Sequence, residues 1–172
     1  MNEKELLQFS AQMFDLDGTL TPSINVPKDP RLITNFIRLK TGKLGYKDGA
    51  AELLLSIPDK KRALISHMSD KLLKQYITCP PIVDAAPFSR VFDSIKITNR
   101  GAKNKTDLML ETLDEWKIWT CDAVYYVDTL KDAVNANDAN IRFCLVGEPN
   151  AKDLREIKKI SPYQIKDFNE IL

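Results

Sequence analysis

Short apolar runs rich in branched and aromatic side chains recur along the chain, each bounded by turn residues and followed by a stretch of helical period. They predict strands at Ala11 to Leu16, Arg62 to Ser66, Val91 to Thr98, Ala123 to Asp128 and Arg142 to Val146. Most are almost continuously apolar, as expected of a parallel sheet covered by helices on both faces. Between them, Leu32, Ile33, Phe36, Ile37 and Leu39 give Pro30 to Lys40 one greasy side, and Asp48 to Ile57 reads as a second helix. A third starts near its cap Ser69 and stops before Cys79-Pro80-Pro81, because proline lacks the next backbone donor. A fourth runs from Asp107 to Trp116, capped by Thr106, with Leu108, Leu110, Leu113 and Trp116 toward the sheet. Asp153 to Ile160 and Asp167 to Leu172 form short amphipathic pieces. The pattern predicts a three-layer α/β/α, Rossmann-like fold with a mainly parallel sheet. There is no internal repeat and no low-complexity linker, so residues 1–172 read as one domain.

A chain of 172 residues buries roughly 70% of the surface its unfolded form exposes, enough for one good core. With 25 Lys and Arg against 24 Asp and Glu the net charge is +1, so no global field recruits nucleic acid or an acidic membrane. Nothing reaches the roughly 18 consecutive apolar residues that a membrane span requires. The charged start, Met1-Asn2-Glu3-Lys4-Glu5, is unlike a secretory signal, which makes a cytoplasmic location the default expectation. Cys79, Cys121 and Cys144 are odd in number and widely spaced, without a metal-knuckle pattern, and read as packing residues.

The chemistry concentrates in Phe14-Asp15-Leu16-Asp17-Gly18-Thr19-Leu20-Thr21. Positions i and i+2 share a face as a strand ends, and in an open parallel sheet the ligand crevice lies beyond the carboxyl ends of strands. Asp15 and Asp17 therefore stand where a ligand binds. A second acidic pair, Asp128 and Asp132, follows Val124-Tyr125-Tyr126-Val127. Gathered carboxylates raise one another's proton affinity unless a counter-ion intervenes. Oxygen donors with no thiolate or imidazole set favour magnesium over zinc.

Taken in order, Asp15-Leu16-Asp17-Gly18-Thr19-Leu20-Thr21, Ala63-Leu64-Ile65-Ser66, a lysine before a helix, and Asp128-x-x-x-Asp132 resemble the four motifs of the haloacid dehalogenase superfamily. The resemblance implies a magnesium-dependent phosphomonoester hydrolase that works through an aspartyl-phosphate. Asp15 would be nucleophile and metal ligand. Asp17 would serve as general acid and then base, its backbone carbonyl touching the metal. Ser66 would hold the phosphoryl oxygens, and Asp128 and Asp132 would complete the metal site. The lysine is Lys105, 23 residues before Asp128, as in shorter members, or else Lys103, 25 residues before, as in longer ones. The fourth motif begins Val127-Asp128 where many members carry Gly-Asp.

Ser66 follows Asp15 by 51 residues, and Lys105 follows Ser66 by 39. Neither interval holds a large cap domain, so the resemblance implies a capless member with an open site. Such a site suits phosphate on a macromolecule, for example phosphotyrosine in a protein, or a small sugar or nucleotide phosphate enclosed by oligomerisation; the oligomeric state is left open. His67, the only histidine, reads as an incidental loop residue, and Lys96, Arg100, Lys103 and Lys105 as a basic stretch near the site. Trp116 and Trp119 read as core or edge packing, and Asp132 alone could merely cap a helix. Two readings from other classes compete: a non-catalytic phosphoacceptor like a signalling receiver, and a binding module that has lost turnover. The motif order opposes the first, and retention of Asp17 opposes the second.

Overall fold

The computed structural model describes residues 3–21, 46–70, 91–98, 103–148, 151–160 and 163–172. Six strands form one parallel sheet among these residues: β1 (Ala11–Phe14), β2 (Lys61–Ser66), β3 (Ser94–Ile97), β4 (Ala123–Val127), β5 (Arg142–Val146) and β6 (Gln164–Ile165). Their order is β3-β2-β1-β4-β5-β6, with β1 between β2 and β4. The order reverses direction at β1, so the loops after β1 and β4 flank the place where an open parallel sheet takes its ligand.

Alternation along each strand sorts side chains between two cores. Phe14, Leu64, Tyr126 and Cys144 point to one face, covered by α1 (Ala50–Ser56), a 3-10 turn at Glu3–Gln8 and another at Phe168–Glu170. Met13, Ile65, Tyr125 and Leu145 point to the other, covered by α2 (Lys105–Trp116), α3 (Leu130–Asp138) and α4 (Ala151–Ile160). The three-layer fold read from the sequence is the one observed. Gln12 lies fully buried in β1 and is satisfied: its amide donates to the carbonyls of Leu6 and Phe9, and its oxygen accepts from Tyr126 Oη.

Several boundaries differ from the expectation. The cap of α2 is Asn104, not Thr106: Asn104 Oδ1 accepts from the Asp107 amide at 2.8 Å while Asp107 reaches back to the Asn104 amide, a reciprocal capping box. Thr106 is freed to donate to the Asn135 carbonyl on α3 at 3.0 Å. Leu110 is exposed rather than turned to the sheet. Trp116 packs against the core, but Trp119 is exposed. Cys144 is buried as expected, whereas Cys121 is exposed. β3 is shorter than the apolar run that announced it, and β6 was not foreseen. The helix expected at Pro30 to Lys40, most of the one expected from Ser69, Cys79, Arg100 and the expected lack of a large cap fall on residues outside those described. No helix among the described residues is long and apolar enough to cross a membrane.

Candidate active site

Beyond the carboxyl ends of β1, β2 and β4 lies a cavity of about 460 Å³. Its wall includes Asp15, Asp17, Ser66, Lys105 and Asp132, five residues that the sequence singled out. β1 ends at Phe14, yet the Asp15 amide still donates to the Tyr126 carbonyl at 3.1 Å, which extends the ladder by one residue and fixes where the carboxylate emerges. The chain then turns: Gly18 adopts φ 86°, its amide donates to the Thr21 carbonyl at 2.7 Å, and Leu16 accepts from the amides of Leu20 and Thr21. A positive φ is costly for residues with a Cβ, so glycine at this position is what permits the reversal. Asp17 sits on the turn, where its Oδ1 accepts from Thr21 Oγ1 at 3.3 Å.

Lys105 is the first residue of α2, and the Asn104 cap directs its side chain into the site. Its ammonium lies 2.9 Å from Asp15 Oδ1 and 3.0 Å from Asp132 Oδ1, with all three side chains buried. It also stands 5.9 Å from the centroid of the Tyr125 ring, whose face favours a cation. Lys103 takes another course. It borders the cavity, but its ammonium pairs with Glu111 at 2.9 Å on the outer face of α2. Lys96 likewise pairs with Glu115 and Glu111 there.

Asp132 does not cap α3. Thr129 does, accepting from the Asp132 amide at 3.2 Å and donating its hydroxyl to Asp132 Oδ2 at 2.9 Å, so the carboxylate is held toward Lys105. Asp128 accepts from Thr19 Oγ1 at 3.3 Å, which ties the β4 loop to the β1 turn. One carboxylate oxygen from each of Asp15, Asp128 and Asp132 falls within a single group whose members lie within 4.8 Å of one another. An all-oxygen donor set of this kind fits a hard divalent cation.

Burial pushes the Asp15 carboxyl up to about 7, with Asp132 adding to the rise and Lys105 opposing it. Burial and Asp132 raise Asp128 as well, against the pull of Lys47. Ser66 closes β2 as a buried hydroxyl on the cavity wall. His67, read as incidental, also lines the cavity and pairs through Nδ1 with Thr98 Oγ1. Lys47 was not singled out at all: it donates to the Gly18 carbonyl from outside the cavity, and because it follows no motif, sequence pattern offered no signal for it.

No family model and no curated protein matches the chain by sequence. Solved structures do match. A haloacid dehalogenase-like family hydrolase from Streptococcus pneumoniae is 15% identical, with a TM-score of 0.68 over 95% of this chain and 97% of that one. CbbY from Rhodobacter sphaeroides, in complex with phosphate, is 16% identical, with a TM-score of 0.70 over 95% and 96%. A mutant of CbbY in complex with xylulose-(1,5)bisphosphate gives a TM-score of 0.64 at 16% identity over 93% and 95%. At such identities the likeness concerns the backbone: from β1 to β6 this chain has the fold of the haloacid dehalogenase-like hydrolases.

Proposed function

We propose that this chain is a magnesium-dependent phosphomonoester hydrolase that forms an aspartyl-phosphate on Asp15. The observation that carries the reading is the buried Lys105 ammonium shared between Asp15 and Asp132, at 2.9 and 3.0 Å, beside a third carboxylate from Asp128. In this reading Asp15 attacks phosphorus in line, and the bond from phosphorus to the leaving alkoxide or phenoxide breaks. Asp17 gives its proton to that oxygen. In the second half Asp17 takes a proton from water as the water attacks phosphorus, which releases inorganic phosphate and restores Asp15. Dividing the displacement between two steps gives each a lower barrier. Lys105 and the Ser66 hydroxyl hold the phosphoryl oxygens, where charge stabilisation is the main demand.

The carboxylates of Asp15, Asp128 and Asp132 and the Asp17 backbone carbonyl would hold the cation. A magnesium ion there supplies charge that favours ionised Asp15 and neutralises the phosphoryl group. The test is hydrolysis of an aryl phosphate with magnesium and with EDTA. Many turnovers per chain, lost on chelation, are expected; one labelled phosphate per chain without turnover would point to the receiver-like phosphoacceptor.

For substrate, we propose phosphate displayed on a protein, with phosphotyrosine as the first candidate, in a cytoplasmic setting. The complex of CbbY with xylulose-(1,5)bisphosphate favours a second reading, a phosphorylated sugar. A panel of phosphopeptides and sugar phosphates separates them: cleavage of sugars alone would reject the protein substrate.

A further inference from the structure

Lys47 lies beside the acidic cluster, close enough for its charge to act on Asp128. Its backbone amide donates to the Leu20 carbonyl at 2.7 Å, which anchors the residue to the turn after β1. Its ammonium donates to the Gly18 carbonyl on that turn. The next residue, Thr19, holds Asp128 on the loop after β4. On the third side is Gly147, after β5, where an added Cβ would come within 3.5 Å of the Lys47 ammonium. Loops from three neighbouring strands thus meet around one half-buried positive charge. Lys47 and Asp128 feel each other's charge, which counters the effect of burial on both. Lys105 balances Asp15 and Asp132 instead. Lys47 is not among the described residues that line the cavity.

We propose that Lys47 is a built-in counter-cation, a positioning residue that holds the loops after β1 and β4 together when no divalent cation is bound and thereby limits how tightly that cation binds. The inference rests on the cation-binding part of the proposed function. Without Lys47, Asp128 loses the compensating charge that Lys47 supplies in the metal-free protein, and a bound divalent ion no longer meets a like charge beside its site. Metal-free protein should then be weakened, and magnesium should bind more strongly.

The experiment melts the wild type, Lys47→Met and Lys47→Arg in EDTA and in magnesium chloride, and titrates each with magnesium chloride alone in a calorimeter at low salt. Lys47→Met should melt lower in EDTA and recover most of the loss in magnesium. Its magnesium affinity should rise, on the order of tenfold for a charge removed from a partly buried site. Lys47→Arg should keep the wild-type gap between the two media. Equal losses in EDTA and magnesium would mean that Lys47 only packs, and weaker magnesium binding would mean that it supports ligand geometry instead; either overturns the proposal. A wild type that shows neither binding heat nor a shift in melting with magnesium removes the cation reading itself, whereas a normal wild-type response with an unchanged gap in Lys47→Met removes only the role of Lys47.

Discussion

At the scale of single residues the site opposes two demands on Asp15. In the proposed mechanism Asp15 must be ionised to attack, yet burial favours the neutral acid and raises it to about 7. An acid with a higher pKa in the folded state than in the unfolded chain binds its proton more tightly when folded, so stability declines as pH rises from the unfolded value of about 4 toward the folded one. In EDTA, urea unfolding should therefore show wild-type stability falling between about pH 4 and pH 7. Asp15→Asn should flatten that decline while abolishing turnover, and an undiminished slope in the variant would assign the effect elsewhere. The two candidate lysines separate just as cleanly. Lys105→Met removes the cation shared by Asp15 and Asp132 and should lower kcat by about 10²- to 10³-fold, the usual loss for a charge-stabilising group. Lys103→Met breaks an exposed pair with Glu111, which solvent screens, so its stability should stay near that of the wild type, with kcat largely kept.

At the scale of elements, β4 serves both faces of the sheet with adjacent tyrosines. Tyr125 turns toward α2, donates its hydroxyl to the Ile65 carbonyl at 2.9 Å and lies under the Lys105 ammonium. Tyr126 turns the other way, stacks on Phe14 at 4.8 Å and donates to Gln12. Each lost hydroxyl should cost about 1 kcal/mol. Only Tyr125 touches the strand end that presents Ser66, so Tyr125→Phe should lower kcat several-fold whereas Tyr126→Phe should leave it unchanged. Steady-state kinetics with urea unfolding of both variants checks this, and equal kcat values would show that the strand-end tie is only structural. The strands were legible because burial on both faces demands largely apolar runs, and Asp15, Asp17 and Asp128 were legible because they stand where such runs end; Ser66 and Asp132 were legible only through the resemblance of the ordered motifs. Caps were less so: Asn104 and Thr106 are both good caps, and only the reciprocal bond with Asp107 decides between them. That choice also places Lys105 rather than Lys103 in the interior. Lys47 carries no sequence signal because its ammonium bonds a backbone carbonyl and the charge it feels, Asp128, lies far along the chain, which no periodicity encodes.

At the scale of the whole molecule, the last residues of the chain close the core beneath the site. Phe168 and Ile171 are fully buried, and Phe168 meets the edge of Tyr126 at 5.5 Å and lies 6.3 Å from Phe14. Its amide donates to the Asp48 carbonyl at 3.1 Å, and Gly49 leaves no space there: an added Cβ would come within 2.6 Å of the Asn169 amide nitrogen. The segment from Lys47 to α1 is thus clamped between the turn after β1 and the 3-10 turn at Phe168–Glu170. Phe168→Ala should cost about 3–5 kcal/mol, because it removes a large buried ring and leaves a cavity between two aromatic neighbours. Against a typical total of about 5–15 kcal/mol this is a large share, so the variant should unfold at much lower urea. Its effect on catalysis should differ in kind from that of Lys105→Met. At low temperature, where the variant stays folded, kcat should approach the wild-type value, since no group that touches the reacting atoms has changed. On warming, activity should fall together with the folded fraction measured by circular dichroism. A variant that is fully folded yet inactive would show that the C-terminal turn shapes the site directly, through Asp48 and the neighbouring Lys47, rather than through stability alone.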